Sequence, residues 1–305
     1  MAIANTDVFG NHLDKDVDQI FFDDYAMVEP LALQIAHVMP APPGNHFIAA
    51  ELSPFGPLKA IDEGDAVTFD VPVEGHKKTV YYSEYGLGFT ITKHMYRDDL
   101  TGNWKRAPSK LSKSAKDNVE SKFFDLFNNG FGTHTAWDEQ YVFDTDHSTL
   151  YSGETITNDP TAASLTETTL RAMFEYFEDL IDEAGMPIPM HGPKTLLVPT
   201  ELMWTANQLL QSTQLVGSAN NDLNMVNPQY NVIQQWRVVH SPYLTSSTAY
   251  FLLDNENHGF HFMWKDPLEL KSADDFYTDS ALFKVTQRYA TFVLDYKGQV
   301  GNSGA

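Results

Sequence analysis

Apolar side chains recur at helical spacing in some stretches and at every second position in others, so the chain alternates helical and extended signatures. The longest helical signal runs from about Trp104 to Asn129, where Leu111, Ala115, Val119, Phe123, Leu126 and Phe127 fall on one face. At 1.5 Å per residue that predicts a helix roughly 35 to 40 Å long. Gly130 and Gly132 supply its stop. A second helix is predicted from about Thr166 to Ala184, with Ser164 and Glu167 in a capping-box pattern and Gly185 ending it. TELMWTANQLLQS predicts a third, and Ser212 to Tyr230 reads as a polar, Asn-rich loop.

Period-two runs predict the strands. Val67, Phe69, Val71 and Val73 alternate with polar residues, and TVYYSEYG follows after EGHKK, which together read as a hairpin tipped by Lys77 and Lys78. Both runs are polar on the alternate face, and a two-stranded hairpin is marginal in water without a partner surface. Further strands are predicted at TLLVP, WRVVH, AYFLL, FHFMW, PLELK and LFKVTQRYATFVLDY. Ahead of all this, residues 1–50 read as an arm: DYAMVEPLALQIAHV is amphipathic and broken or restarted at Pro30, and MPAPPGNH is a stiff exit. Arm, hairpin, long helix, helix, strand, helix and then strands make an α+β chain with segregated elements.

Composition narrows the function. The 305 residues are 42% apolar and 20% charged, a folded globular balance. Lys plus Arg number 20 against 41 Asp plus Glu, a net charge of −21, which opposes a large phosphate-tracking surface. Much of the small positive charge gathers at Lys105, Arg106, Lys110, Lys113 and Lys116, a solvated or subunit-facing flank of the long helix. No cysteine is present, so thiolate catalysis, disulfides and Cys-based zinc sites are excluded. The N-terminal residues lack a basic start and an apolar run, so they are not read as a secretory signal, and no apolar stretch is long enough to predict a membrane span.

Candidate chemistry is plentiful but does not assemble. Asp14, Asp16 and Asp18 alternate like a calcium loop, but Gln19 stands where the turn glycine belongs and Tyr25 where the closing Glu belongs. His258 and His261 lack a third ligand, and Asp144, His147 and Ser148 are too close in sequence to converge as a triad. No catalytic, metal-binding or cofactor-binding residue is therefore assigned, and no cofactor is expected.

Four ordered segments carry a resemblance: YGLGFTITKHMYRDDL, SKLSKSAKDNVESKFFDLFNNGF, YVFDTDHSTLYSGETITN, and LTETTLRAMFEYFEDLIDEAGMPI leading into TLLVPTELMWTANQLLQS. The third matches a Phe, His and Asn pattern at Phe143, His147 and Asn158. With the ending GNSGA they span about 80 to 300, and the chain resembles the major capsid proteins of tailed bacteriophages, within them the major head subunit of Mu-type phages and prophages.

The resemblance implies a Hong Kong-type capsid fold. Its expected parts are an N-terminal arm (1–50), an extended hairpin loop (51–92), a peripheral domain with a long spine helix (93–195 and 266–305) and an axial domain (196–265). It implies a structural protein, not an enzyme, that self-assembles as hexamers and pentamers into an icosahedral shell enclosing double-stranded DNA without sequence-specific binding. The expected place is the virion, after assembly in the bacterial host cytoplasm, with no membrane partner. The short arm implies a separate scaffolding protein, and a portal is expected. Intersubunit contacts are expected at Lys77, Lys78, Tyr82, Arg97, Asp98 and Asp99. Some relatives crosslink a loop lysine to a neighbour's asparagine, which draws attention to Lys77 and Lys78. Two other readings stand beside this one: an encapsulin-like cellular nanocompartment, and a hydrolase using Glu84, Asp98 or Asp99 with stacking from Tyr81, Tyr82 and Tyr85.

Overall fold

The computed structural model describes residues 6–56, 58–64, 66–69, 71–72, 74–98, 102–149, 155–182, 185–188, 190, 192–212, 236–275 and 277–305. In chain order the helices are α1 (Thr6–Ala26), α2 (Leu31–Ile35), α3 (Lys93–Asp98), α4 (Arg106–Asn128), α5 (Glu167–Glu178) and α6 (Met203–Gln211). The strands are β1 (His37–Pro40), β2 (His46–Leu52), β3 (Glu74–Tyr81), β4 (Ser83–Thr92), β5 (His147–Ser148), β6 (Thr155–Ile156), β7 (Lys194–Pro199), β8 (Arg237–Ser241), β9 (Tyr250–Asp254), β10 (Phe260–Asp275), β11 (Ser280–Val293) and β12 (Gln299–Asn302). Two compact units form: one from residues 1–47, 81–123 and 261–291, the other from 48–80, 124–260 and 292–305.

The first unit is built on a sheet of order β1-β10-β11-β4, with β1 parallel to β10 and β11 antiparallel to β4. Helix α1 is longer than its amphipathic patch suggested and buries Val17 and Phe21, one turn apart. Val17 packs with Ile91, Trp104 and Phe283, and Phe21 with Leu111, Ala115 and Val285. The arm therefore closes a core against its own unit. Asp14, Asp16 and Asp18 lie on this helical backbone, not in a loop. Pro30 caps the restart at α2, as its fixed φ favours. The N–H groups of Leu31 and Ala32 are taken by the Glu120 carboxylate of α4 at 2.5 and 3.1 Å. Burial pushes the Glu120 carboxyl up, and those two bonds pull against the shift.

The hairpin expectation needs correction. Residues 66–69 and 71–72 form no strand, and Lys77 and Lys78 are not at a tip. They lie inside β3, whose partner is β2. The alternation at Val67 and Phe69 is real, but no neighbouring strand accepts it. Gly86 and Gly88 both sit in the regular β4 ladder, opposite Thr286 and Lys284. A side chain at Gly88 would meet the Phe283 carbonyl at 2.7 Å, so glycine serves close strand approach there.

One strand pair in this unit carries a titratable contact. His37 and His261 are in register between β1 and β10, with ring centroids 5.6 Å apart. Burial and then the neighbouring His37 lower the His261 imidazole from 6.5 to about 4, against a hydrogen bond from the ring to the His37 backbone. A base whose folded value is depressed loses stability as pH falls, here between about 6.5 and 4. Denaturant midpoints of the protein should fall over that window, and His261→Asn should flatten the fall. An equal slope in the variant rejects the assignment.

The second unit centres on a sheet of order β12-β9-β7-β8, in which β7, β9 and β12 are buried throughout. Tyr250 and Leu252 face a cluster with Leu170, Met173 and Phe177 of α5 and Ala206 and Leu210 of α6. Phe251, on the alternate parity, meets Phe127, Phe131 and Phe143 at 5.1, 5.9 and 5.1 Å. The α5 cap lies two residues later than the sequence suggested. Thr166 Oγ1 accepts from the Thr169 N–H and Thr169 Oγ1 from the Thr166 N–H, while Ser164 Oγ donates to the Ala305 carbonyl. The helix stops at Glu178, short of the expected Ala184. FHFMW and PLELK are one 16-residue strand. Of the predicted Asn-rich loop, 213–230 lies outside the described residues.

Candidate assembly surfaces

Two exposed features of the surface follow directly from this fold. The end of β2 and the connection from it to β3 carry apolar side chains that the fold does not cover: Leu52 is 67% exposed, Phe55 64%, Leu58 103% and Phe69 91%. Soluble monomers rarely leave so many large apolar groups together in water. In the same stretch, 48–74, the sequence places six carboxylates against the single cation Lys59. The second feature is in the other unit, where Arg106, Lys110 and Lys113 are exposed along one side of α4.

The residues expected to make contacts are not brought together. Lys77 is exposed and pairs with Glu74 at 2.9 Å. Lys78 points the other way, and its ammonium donates to the Thr135 carbonyl and, at 2.9 Å, to that of Val293. Burial lowers Lys78 to about 8, partly offset by Asp138. Tyr82 is buried, its hydroxyl 3.0 Å from Met263 Sδ, with Lys265 and Arg288 over its ring at 5.5 and 5.8 Å. Arg97 lies on α3, Asp98 is exposed at its end, and Asp99 lies outside the described residues. Glu84 stands opposite Arg288 in the β4–β11 register.

A buried polar knot holds the second unit together, and only part of it was visible in the sequence. The His147 ring is fully buried between Asp138 Oδ2, 2.6 Å from Nδ1, and Asn158 Oδ1, 3.2 Å from Nε2. Asn158 donates from Nδ2 to the carbonyls of Val142 and Tyr296 and accepts the Asp144 N–H at Oδ1. Its Oδ1 is thus an acceptor, and both histidine nitrogens face acceptors. The ring stacks on Tyr296 at 4.1 Å. Phe143 is wedged between two glycines: a Cβ at Gly130 or Gly301 would lie 2.9 or 2.6 Å from its ring. The Phe, His and Asn pattern is the sequence trace of this knot; Asp138 and Tyr296 left no signal.

Residues 78–302 match the family model described as phage capsid protein. The chain belongs to the phage capsid protein family. Among solved structures, the capsid of the cyanophage P-SCSP1u is similar at a TM-score of 0.58 and 9% identity, over 91% of this chain and 88% of that one. The bacteriophage JBD30 capsid gives 0.57 and 15%, over 72% and 92%. A virus-like particle from Pyrococcus furiosus gives 0.55 and 9%, over 94% and 98%. No curated protein matches the sequence.

At such identities the structural likenesses establish fold, and the family match establishes kind. This phage capsid protein has the Hong Kong-type capsid fold expected from its sequence, and it is a structural major capsid subunit whose place is the virion shell. The nanocompartment alternative implies the same fold, and the family match favours the phage reading.

Proposed function

We propose that this capsid protein tiles an icosahedral shell of pentamers and hexamers around double-stranded DNA, with the extended loop, 51–92, of each copy lapping onto a neighbour. The exposed apolar run Leu52, Phe55, Leu58 and Phe69 carries the reading, because burial against a second copy removes from water what the monomer leaves wet. Head-to-tail contacts of one surface with a different one close into rings when the rotation permits, which is the geometry of a capsomer. The net charge of −21 suits an inner face that releases DNA instead of holding it.

Within this reading the arm is 1–50, the peripheral domain 93–195 with 266–305, and the axial domain 196–265. Lys77 and Asp98, both exposed, serve as contacts between copies. A scaffolding protein and a portal act with the chain in the host cytoplasm, and the Mu-type head subunit remains its proposed subfamily. Electron microscopy of the purified protein should show capsomers or icosahedral particles. A strictly monomeric 34.3 kDa species under every assembly condition overturns the proposal. Particles filled with a protein cargo and free of nucleic acid transfer it to a nanocompartment.

A further inference from the structure

The chain contains two Asp–Pro junctions, Asp159–Pro160 and Asp266–Pro267. Such a junction is the peptide linkage most easily broken by acid. The aspartyl carboxyl can close a five-membered ring on its own carbonyl carbon, and the tertiary amide nitrogen of proline takes a proton better than an ordinary amide. The fold sets the two junctions in different surroundings. We infer that Asp159–Pro160 is a self-cleaving junction, at which the Asp159 carboxyl group cuts the chain on its C-terminal side in mild acid. The cut needs no second copy.

Asp159 lies shortly after β6, in a bend outside any strand. Its predecessor is pinned: the Asn158 N–H donates to the Asp144 carbonyl at 3.0 Å, and the Asp144 N–H donates to Asn158 Oδ1 at 2.8 Å. The Asp159 carboxyl is half-buried and makes no hydrogen bond or ion pair among the described residues. The charged group that acts on it is Asp144, of the same sign, while the His147 ring bonds Asp138 and Asn158 Oδ1 instead. Burial and then Asp144 push the Asp159 carboxyl up from 3.8 to about 6, so it holds its proton in mild acid. Asp266 lies inside β10, its side chain 65% exposed with Arg288 3.9 Å away, and its junction is the internal comparison.

In the step, a carboxyl oxygen of Asp159 bonds to the Asp159 carbonyl carbon while the carboxyl proton passes to the Pro160 nitrogen. The C–N bond breaks and its electron pair stays on nitrogen, leaving a cyclic anhydride and a secondary amine. Water opens the anhydride to two carboxyl groups, so one water is consumed and nothing is oxidised or reduced. In acid the new amine takes a further proton, which stops it from closing back on the anhydride and sets a cation next to the Asp144–Asp159 pair. The flanks stay in place. Asn158 donates to the Val142 and Tyr296 carbonyls, and Asn302 accepts the Ala163 N–H and donates to the Thr161 carbonyl. The β4–β11 ladder also joins the two pieces, 1–159 and 160–305. A cut subunit therefore keeps its fold, and its pieces part on denaturation.

The purified full-length chain is held at about pH 5 and about pH 8, below and above the Asp159 value, and followed by denaturing gel and intact mass. Pieces 1–159 and 160–305 are expected in the acid sample, the second beginning at Pro160, with masses that sum to the chain plus one water. The cut should run roughly tenfold faster at about pH 5 in the folded chain than in the same chain unfolded in urea, because an acid at about 6 is then mostly protonated and one at 3.8 mostly ionised. Asp144→Asn should move the pH of half-maximal rate down from about 6, a shift that a purely structural part for Asp144 would not give. Pro160→Ala and Asp159→Glu, each checked for fold by circular dichroism, should remove the cut, since one lacks the tertiary amide and the other closes a slower six-membered ring. Equal rates in the folded and unfolded chain, or equal cleavage at Asp266–Pro267, overturn the inference. An intact chain in acid does the same, as does a cut that survives Pro160→Ala, the mark of a contaminating protease. An unshifted profile in Asp144→Asn refutes the part given to Asp144. The shell reading stands under every one of these outcomes.

Discussion

Replacing Lys194 by Ala is expected to destabilise the capsid subunit by about 3–5 kcal/mol, among the largest effects of any single substitution. The Lys194 and Asp254 side chains are both fully buried and meet at 2.5 Å. The ammonium also donates to the Met190 carbonyl at 2.6 Å and lies 4.8 Å from the centre of the Phe177 ring, and Asp254 Oδ1 accepts the Glu256 N–H. The ammonium thus meets a carboxylate, a carbonyl and a ring face, and each carboxylate oxygen accepts a hydrogen bond within the second unit. Truncating the lysine strands a carboxylate among Phe177, Leu196 and their neighbours, and leaves the Met190 carbonyl unmet. Denaturant unfolding measures the loss. The double change Lys194→Met with Asp254→Leu should recover most of it, because removing both charges together leaves no buried ion. A double variant as unstable as Lys194→Ala alone shows that packing, not the stranded charge, sets the cost.

His147→Leu should be comparably damaging, again roughly 3–5 kcal/mol. Leucine fills much of the space but removes the donor to Asp138 Oδ2, leaves Asn158 Oδ1 only the Asp144 N–H, and loses the stacking on Tyr296. Because Asn158 also ties together Val142, Tyr296 and Asp144, the damage should spread through the segment 138–158 and the terminal β12 strand, where the Gly301 N–H bonds the Asn158 carbonyl. Hydrogen exchange should therefore show lost protection at Asp144, Asn158 and Gly301 before the remainder of the unit. Uniform loss across the unit, or a cost below about 1 kcal/mol, removes the knot from its assigned role.

The elements legible in the sequence are those whose signal is local. The α4 face from Leu111 to Phe127 was read nearly to its ends because 3.6-residue periodicity and the Gly130 stop are written within one segment. TLLVP and AYFLL were legible as strands because short, unbroken apolar runs of that length have few other homes, and both are buried throughout. The restart at Pro30 was visible for the same reason.

What failed was pairing. Residues 66–73 alternate as a strand should, yet β3 pairs with β2, some twenty residues farther back, and β4 leaves its predicted partner for β11. A strand's pattern states which side is apolar but not which strand lies beside it, since the hydrogen bonds are made by backbone common to every residue. Lys77 and Lys78 were misplaced for that reason.

The sequence by itself determined the class of chain: α+β, without cysteine, strongly acidic, with an order of segments that fits a phage capsid subunit. The tertiary structure alone decided the partners. It matched His147 to Asp138 and Lys194 to Asp254, set Glu120 on the start of α2, and left Phe69 in water. Burial and ion pairing are properties of groups distant in sequence, so no local pattern records them.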